Sequence, residues 1–228
     1  VLDDNLVKQA RNSIKSASIP VLMYRQIRVA YASDAQRALR LDVASGVGAE
    51  QVLKRKSGVA LSEPVPALYT KGVFEEITKT RGTDDLVKQF ALDHWVWGDG
   101  GMSVVASARL ATDMIAEYEK DYINAWDAIL NDLDVVPFTA AQTSEKLAII
   151  GGDTSPLRGF LRTVDEHTFL VKPAEPAQAG ASGVRSRLDQ IFARGKEAIG
   201  MSGVPPGTKI TEHFQQVHRM VVPGAAGG

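Results

Sequence analysis

The chain has 228 residues, 44% of them hydrophobic and 23% charged, with 26 basic side chains against 27 acidic ones and no cysteine. That is the composition of a globular protein with enough length for one large domain or two ordinary ones. A net charge near zero gives no global pull toward nucleic acid or anionic lipid, and the lack of cysteine excludes disulfides, thiolate metal sites and cysteine nucleophiles. Residues 3–17 are predicted to form a helix, with Leu6, Val7, Ala10, Ile14 and Ala17 on one face. Ser18-Ile19-Pro20 ends it, and Pro20 suits the first position of a second helix running to about Tyr31. Between residues 37 and 62 the helical period fades, and short strands or irregular structure are expected.

Glu63-Pro64-Val65-Pro66 reads as an extended link into a helix that ends near Lys79. Thr83 is a good N-cap, with Asp84 and Asp85 behind it, for a helix to Trp97 that stops at Gly98-Asp99-Gly100-Gly101. A long amphipathic helix is predicted from about Ser103 to Leu133. Leu110, Met114, Tyr118, Tyr122, Trp126, Ile129 and Leu133 form its apolar stripe, while Glu117, Glu119, Lys120, Asp121, Asp127 and Asp132 lie mostly away from it. Thr139 and Gln142 make a capping-box pattern for a helix to Ile150, and Ser155-Pro156 opens another as N-cap and first residue. Residues 172–183 read as a Pro/Ala/Gly-rich linker, followed by helices at Val184–Ile199 and Thr208–Met220. The expected fold is mainly α: a multi-helix bundle with a small irregular or short-strand insertion near 37–62. The expected organisation is a helical domain at 1–171, the linker, and a helical base of a following module at 184–228.

Sites for chemistry are hard to find. Gly46-Val47-Gly48 and Gly98-Asp99-Gly100-Gly101 lack the lysine and hydroxyl of a phosphate loop and read as turns. Lys54-Arg55-Lys56 is the one tight basic cluster and reads as a solvated strand end. The histidines are His94, His167, His213 and His218; the last two are five apart, so they face differently on a helix and read as surface or helix-end residues, not shared metal ligands. Glu117 and Asp121 sit one turn apart as an acid/base pair would, but charged neighbours favour a solvated face. Trp95, Trp97 and Trp126 read as core anchors, with Trp95 or Trp97 pointing partly outward. No Gly-x-Ser-x-Gly is present. No catalytic, cofactor-binding or metal-binding residue is assigned, and no enzyme activity is expected.

Four stretches carry a resemblance. They are Leu61 to Phe74 (LSEPVPALYTKGVF), Trp95-Val96-Trp97-Gly98, Tyr118 to Trp126 (YEKDYINAW) and Ser155 to Leu161 (SPLRGFL). In this order and spacing they resemble the IcmF-like, or TssM, family of inner-membrane proteins of bacterial type VI secretion, over roughly residues 19–172. Val73-Phe74 departs slightly, placing the aromatic one residue later than the family usually does. None of the matching positions is catalytic in the family.

The resemblance implies a piece of the long periplasmic arm of an inner-membrane-anchored protein. The first residue is Val and no signal-peptide pattern follows, which fits a segment of a longer chain. Its implied role is a structural scaffold in a trans-envelope membrane complex. The implied partners are the outer-membrane lipoprotein TssJ (mainly through a β module downstream of Gly228), the inner-membrane protein TssL and sister copies, with no nucleic acid and no small-molecule substrate. The alternatives are a soluble helical adaptor or protein-interaction domain with no envelope role, and a cell-wall hydrolase using Glu117 or Glu119.

Overall fold

The computed structural model describes residues 19–78, 104–172 and 204–221. The predicted helices at 3–17, 83–97 and 184–199, most of the linker, and His94, Trp95 and Trp97 lie outside these described residues. In chain order the described helices are α1 (Ile19–Ala32), α2 (Leu41–Ala44), α3 (Ala49–Val52), α4 (Lys71–Thr78), α5 (Val104–Asp132), α6 (Thr143–Gly151), α7 (Pro156–Thr168), α8 (Thr208–His213) and α9 (Gln215–Val221). Two short strands, β1 (Leu53–Arg55) and β2 (Leu133–Val135), pair antiparallel with Leu53 opposite Val135 and Arg55 opposite Leu133. The protein is mainly helical, as its periodicity implies, and the described residues include one small two-stranded sheet, whose first strand falls in the 37–62 segment and whose second follows α5 directly.

The chain divides into two compact units, one of Val1–Val29, Glu76–Tyr118 and Lys172–Pro206, the other of Ala30–Glu75, Glu119–Val171 and Gly207–Gly228. In the first unit, the α1 residues Met23, Tyr24 and Ile27 are buried, as are Ile77 and the α5 residues Leu110, Ala111, Met114 and Tyr118. Their spacing at three and four residues is why these segments are helices: each turn delivers one apolar side chain to the same side. Tyr24 and Tyr118 stack with ring centroids 5.7 Å apart.

The second unit holds the sheet. Asp132, the last residue of α5, ties the end of that helix to the end of β1: its carboxylate accepts from Ser57 N–H, Ser57 Oγ–H and Arg55 Nε–H, each at 2.7 Å. Those bonds, Ser57 Oγ first and Arg55 next, hold its pKa down to about 2. The basic cluster is a strand end as expected, but a paired one: Lys54 faces Asp134 at 3.5 Å, Arg55 is bound to Asp132, and Lys56 Nζ donates to the Asn131 carbonyl. The 37–62 segment is more helical than its fading period implies, because two four-residue helices, α2 and α3, flank the Gly46-Val47-Gly48 turn. Each is too short for a helical pattern to register in sequence.

Two further details differ from expectation. Ser155 stands at the N-cap position of α7 with Pro156 after it, but its hydroxyl caps nothing; Ser155 Oγ is buried with no partner among the described residues. The helix expected at Thr208–Met220 is two helices broken at Phe214. Ile210, Phe214 and His218 are four residues apart and all buried, so the inward face continues across the break. Gln142, by contrast, does close the capping box, its Oε1 accepting the Thr139 N–H at 3.1 Å.

α7 meets the α2 end with no space to spare. A Cβ built on Gly159 would lie 2.2 Å from the Ser45 carbonyl oxygen, so only glycine fits this approach. Thr163 Oγ1–H donates to the Gly159 carbonyl at 2.9 Å inside the same turn.

Candidate functional site

Among the described residues, a cluster of polar and aromatic side chains lies in the second unit, where the 119–132 part of α5 meets α7. Trp126 is fully buried, and its indole N–H donates to the Tyr69 carbonyl at 3.0 Å. One face of the indole stacks on His167, with centroids 5.8 Å apart and planes at 15°. Tyr122, one turn earlier and also fully buried, donates its hydroxyl to the His167 carbonyl at 2.6 Å. Phe74 and Tyr69 meet the Tyr122 ring edge-on at 5.5 and 6.0 Å. The Tyr69 hydroxyl donates to Asp121 at 2.9 Å.

His167 completes this hub. Its Nδ1 accepts the Lys71 backbone N–H at 3.1 Å, which requires the neutral tautomer with the proton on Nε2. Burial pushes its pKa below the ordinary imidazole value, in agreement with that role. Burial likewise pushes the Tyr122 hydroxyl well above the ordinary phenol range, so it remains a donor. Lys71 is spent as well, its Nζ donating to the Phe169 carbonyl at 3.0 Å.

The C-terminal strap, residues 207–221, seats against the same two helices. Gly207 has φ +91°, and a Cβ there would fall 2.9 Å from Leu170 Cβ and 3.1 Å from a Phe74 ring carbon. Its N–H donates to Glu119 Oε1 at 2.6 Å. Glu119 is only 6% exposed, which corrects its expected place on the solvated face. Burial raises its pKa, and the Gly207 bond and the charge of Lys209 oppose that rise. Thr211 Oγ accepts the N–H groups of Leu170 and Val171 at 3.1 and 3.2 Å and donates back to the Gly207 carbonyl at 3.1 Å.

The two strap histidines go to different carboxylates. His213 Nε2 lies 2.9 Å from Asp127 on α5, and His218 Nδ1 lies 2.7 Å from Asp165 on α7. They share no ligand position, as their spacing implies. His218 is not a surface residue, however: it is 7% exposed and packs edge-on against Phe169 at 5.2 Å. It continues the buried face of Ile210 and Phe214.

Asp121 therefore serves Tyr69, and the buried groups of the hub hold backbone atoms and one another. Among the described residues, no group of three or more His, Cys, Asp or Glu side chains is placed to hold a metal. An open concavity of about 250 Å³ lies elsewhere, lined by Asp42, Gly46, Gly48, Ala49, Glu50 and Gln51. No described helix is long and apolar enough to cross a membrane. What the sequence concealed was Glu119 and the strap contacts, since nothing local to Glu119 signals the arrival of Gly207.

Comparison with known proteins gives a family match over residues 1–169, described as IcmF-related, intracellular multiplication and human macrophage-killing. The chain is also similar to type VI secretion system component TssM1 of Pseudomonas aeruginosa, at 29% identity over 236 aligned residues. That alignment covers 99% of this chain and 21% of the relative, so the chain spans about a fifth of the relative's length. No solved structure matches.

Proposed function

The chain belongs to the IcmF-related family, and from that premise we propose that it is a non-enzymatic scaffold segment of a type VI secretion membrane complex. In this reading it lies in the periplasm, as part of an inner-membrane-anchored protein. Its helices space an anchor from an outer-membrane lipoprotein of the TssJ kind, with TssL and sister copies as neighbours.

The observation that carries the scaffold reading is how the hub spends its polar atoms. Trp126 N–H, Tyr122 O–H, Lys71 Nζ and His167 Nδ1 each bind backbone across elements distant in sequence. Such bonds stiffen a junction between helices. A hydrolase would instead need a carboxylate or imidazole facing a cleft with a free lone pair. Asp121 and Glu119 are both engaged in the packing.

The test is a binding titration against a TssJ-type outer-membrane lipoprotein from the same bacterium. Residues 1–228 should bind it weakly, and a chain extended downstream through the β module should bind it tightly, since stable recognition generally buries about 1,200–2,000 Å². Nanomolar binding by residues 1–228 alone would overturn that division of labour.

A further inference from the structure

We propose that the first two turns of α7, with Arg219 of α9 beside them, form a docking surface for an acidic, extended segment of a partner protein. Arg158 and Arg162 stand one turn apart on α7, on the stripe that continues through Asp165 and Phe169. The strap occupies the far half of that stripe, where His218 binds Asp165 and packs on Phe169. Because Thr211 meets Leu170 and Val171 while His218 meets Asp165, the strap runs antiparallel to α7. Past His218 it therefore heads toward Arg162, and Arg219 joins the two α7 arginines at that end. All three arginines are exposed, as is Met220 next to Arg219.

This end of α7 carries positive charge that the fold itself does not use. Arg37, Arg40, Lys54 and Arg55 each face a carboxylate, whereas among the described residues Arg158, Arg162 and Arg219 face none. Asp165, the carboxylate on the same stripe, is taken by His218 at 2.7 Å. A helix N-terminus is the positive end of its dipole, so acids there are stabilising and cations are not. Yet α7 has no acidic residue in its first turn, and the buried Ser155 hydroxyl at its N-cap neither caps the helix nor finds another partner among the described residues. Local rules of stability broken without an internal compensation are expected at functional sites. Guanidinium groups bind carboxylates through paired hydrogen bonds. Side chains one helical turn apart lie about 5–6 Å from each other, and alternate residues of an extended chain about 6–7 Å. A segment with carboxylates at alternate positions thus engages Arg158 and Arg162 together. A flat anionic bilayer would also press on the exposed carboxylates of Asp153, before the helix, and Glu166, beside the stripe; a single extended segment meets the arginines alone.

The test is fluorescence anisotropy of a short labelled peptide with glutamate at alternate positions, titrated with the 228-residue chain at low salt, where the Debye length exceeds about 10 Å. Binding tighter than about a millimolar is expected. The triple variant Arg158→Gln, Arg162→Gln, Arg219→Gln should weaken it about tenfold or more. Arg25→Gln, Lys120→Gln, Lys172→Gln removes the same charge from exposed positions elsewhere and should bind as the parent does. Arg158→Glu should lose peptide binding and yet raise the urea midpoint by about 0.1–0.5 M, since an acid suits the helix N-terminus. No peptide binding by the parent, or equal weakening by the two triple variants, would overturn the proposal. So would a lowered midpoint in Arg158→Glu, which would assign that arginine to the fold. Phosphatidylglycerol vesicles bound more tightly than the peptide, with that binding lost in the arginine triple variant, would give the surface to a membrane and overturn it too.

Discussion

Replacing Trp126 with alanine should be among the most damaging single changes in the second unit. The side chain is fully buried, so truncation leaves a cavity bounded by His167 on one face. Large-to-small changes of this kind cost about 3–5 kcal/mol. The Tyr69 carbonyl would lose its donor as well, and an orphaned buried acceptor costs about 1–3 kcal/mol, part of which the cavity figure already includes. With a urea slope of about 2–3 kcal/mol/M, the unfolding midpoint should fall by about 1–2.5 M. Trp126→Phe separates the two contributions: it keeps most of the ring and loses the N–H, so a loss of about 1–2 kcal/mol is expected. The assay is urea unfolding followed by tryptophan-independent far-UV circular dichroism, with the slope held common to all three proteins. A Trp126→Ala midpoint equal to the parent's would refute the hub as a source of stability. A Trp126→Phe loss as large as that of alanine would refute the cavity argument.

Three other outcomes follow from single residues. Gly159→Ala should lower stability by about 1–3 kcal/mol through overpacking against Ser45, although the same change in an open helix gains up to about 1 kcal/mol; the urea midpoint gives the sign. For His167 the folded pKa lies below 6.5, so the unfolded chain binds the proton more readily and stability falls as pH drops through that window. The midpoint at pH 7.5 minus that at pH 5.5 should therefore be larger in the parent than in His167→Asn, and equal differences would refute the neutral tautomer. Asp132 has its pKa depressed from 3.8 to about 2, so its contribution is complete above about pH 4 and is lost as pH falls toward 2. Acid unfolding followed by circular dichroism should be shallower across that range in Asp132→Asn than in the parent.

The long helix was legible because its apolar stripe repeats through Leu110, Met114, Tyr118, Tyr122, Trp126 and Ile129, all now buried. That pattern is local and survives any tertiary arrangement. Motif residues were legible as fold residues for the same reason: Tyr69, Tyr122 and Trp126 do meet at one place. Glu119 was not legible, because a carboxylate between Tyr118 and Lys120 looks solvated until a partner some ninety positions away supplies an N–H. The break at Phe214 was not legible, since no glycine or proline announces it, and the pairing of His218 with Asp165 depended on the assembled fold. Ser155 shows the converse case, where the N-cap position was readable but the hydroxyl's use was not. Local pattern thus located elements, while long-range polar contacts depended on the assembled fold.

The proposed role is that of a non-enzymatic scaffold segment in a secretion complex. The most direct measurement is contact-dependent effector delivery by bacteria whose full-length gene is replaced by variants in this region. An in-frame deletion of residues 1–228 should abolish delivery and prevent recovery of the membrane complex, whereas Glu117→Gln with Asp121→Asn should deliver at the parental level. Normal delivery by the deletion, or loss of delivery by the double variant while the complex is still recovered intact, would contradict it.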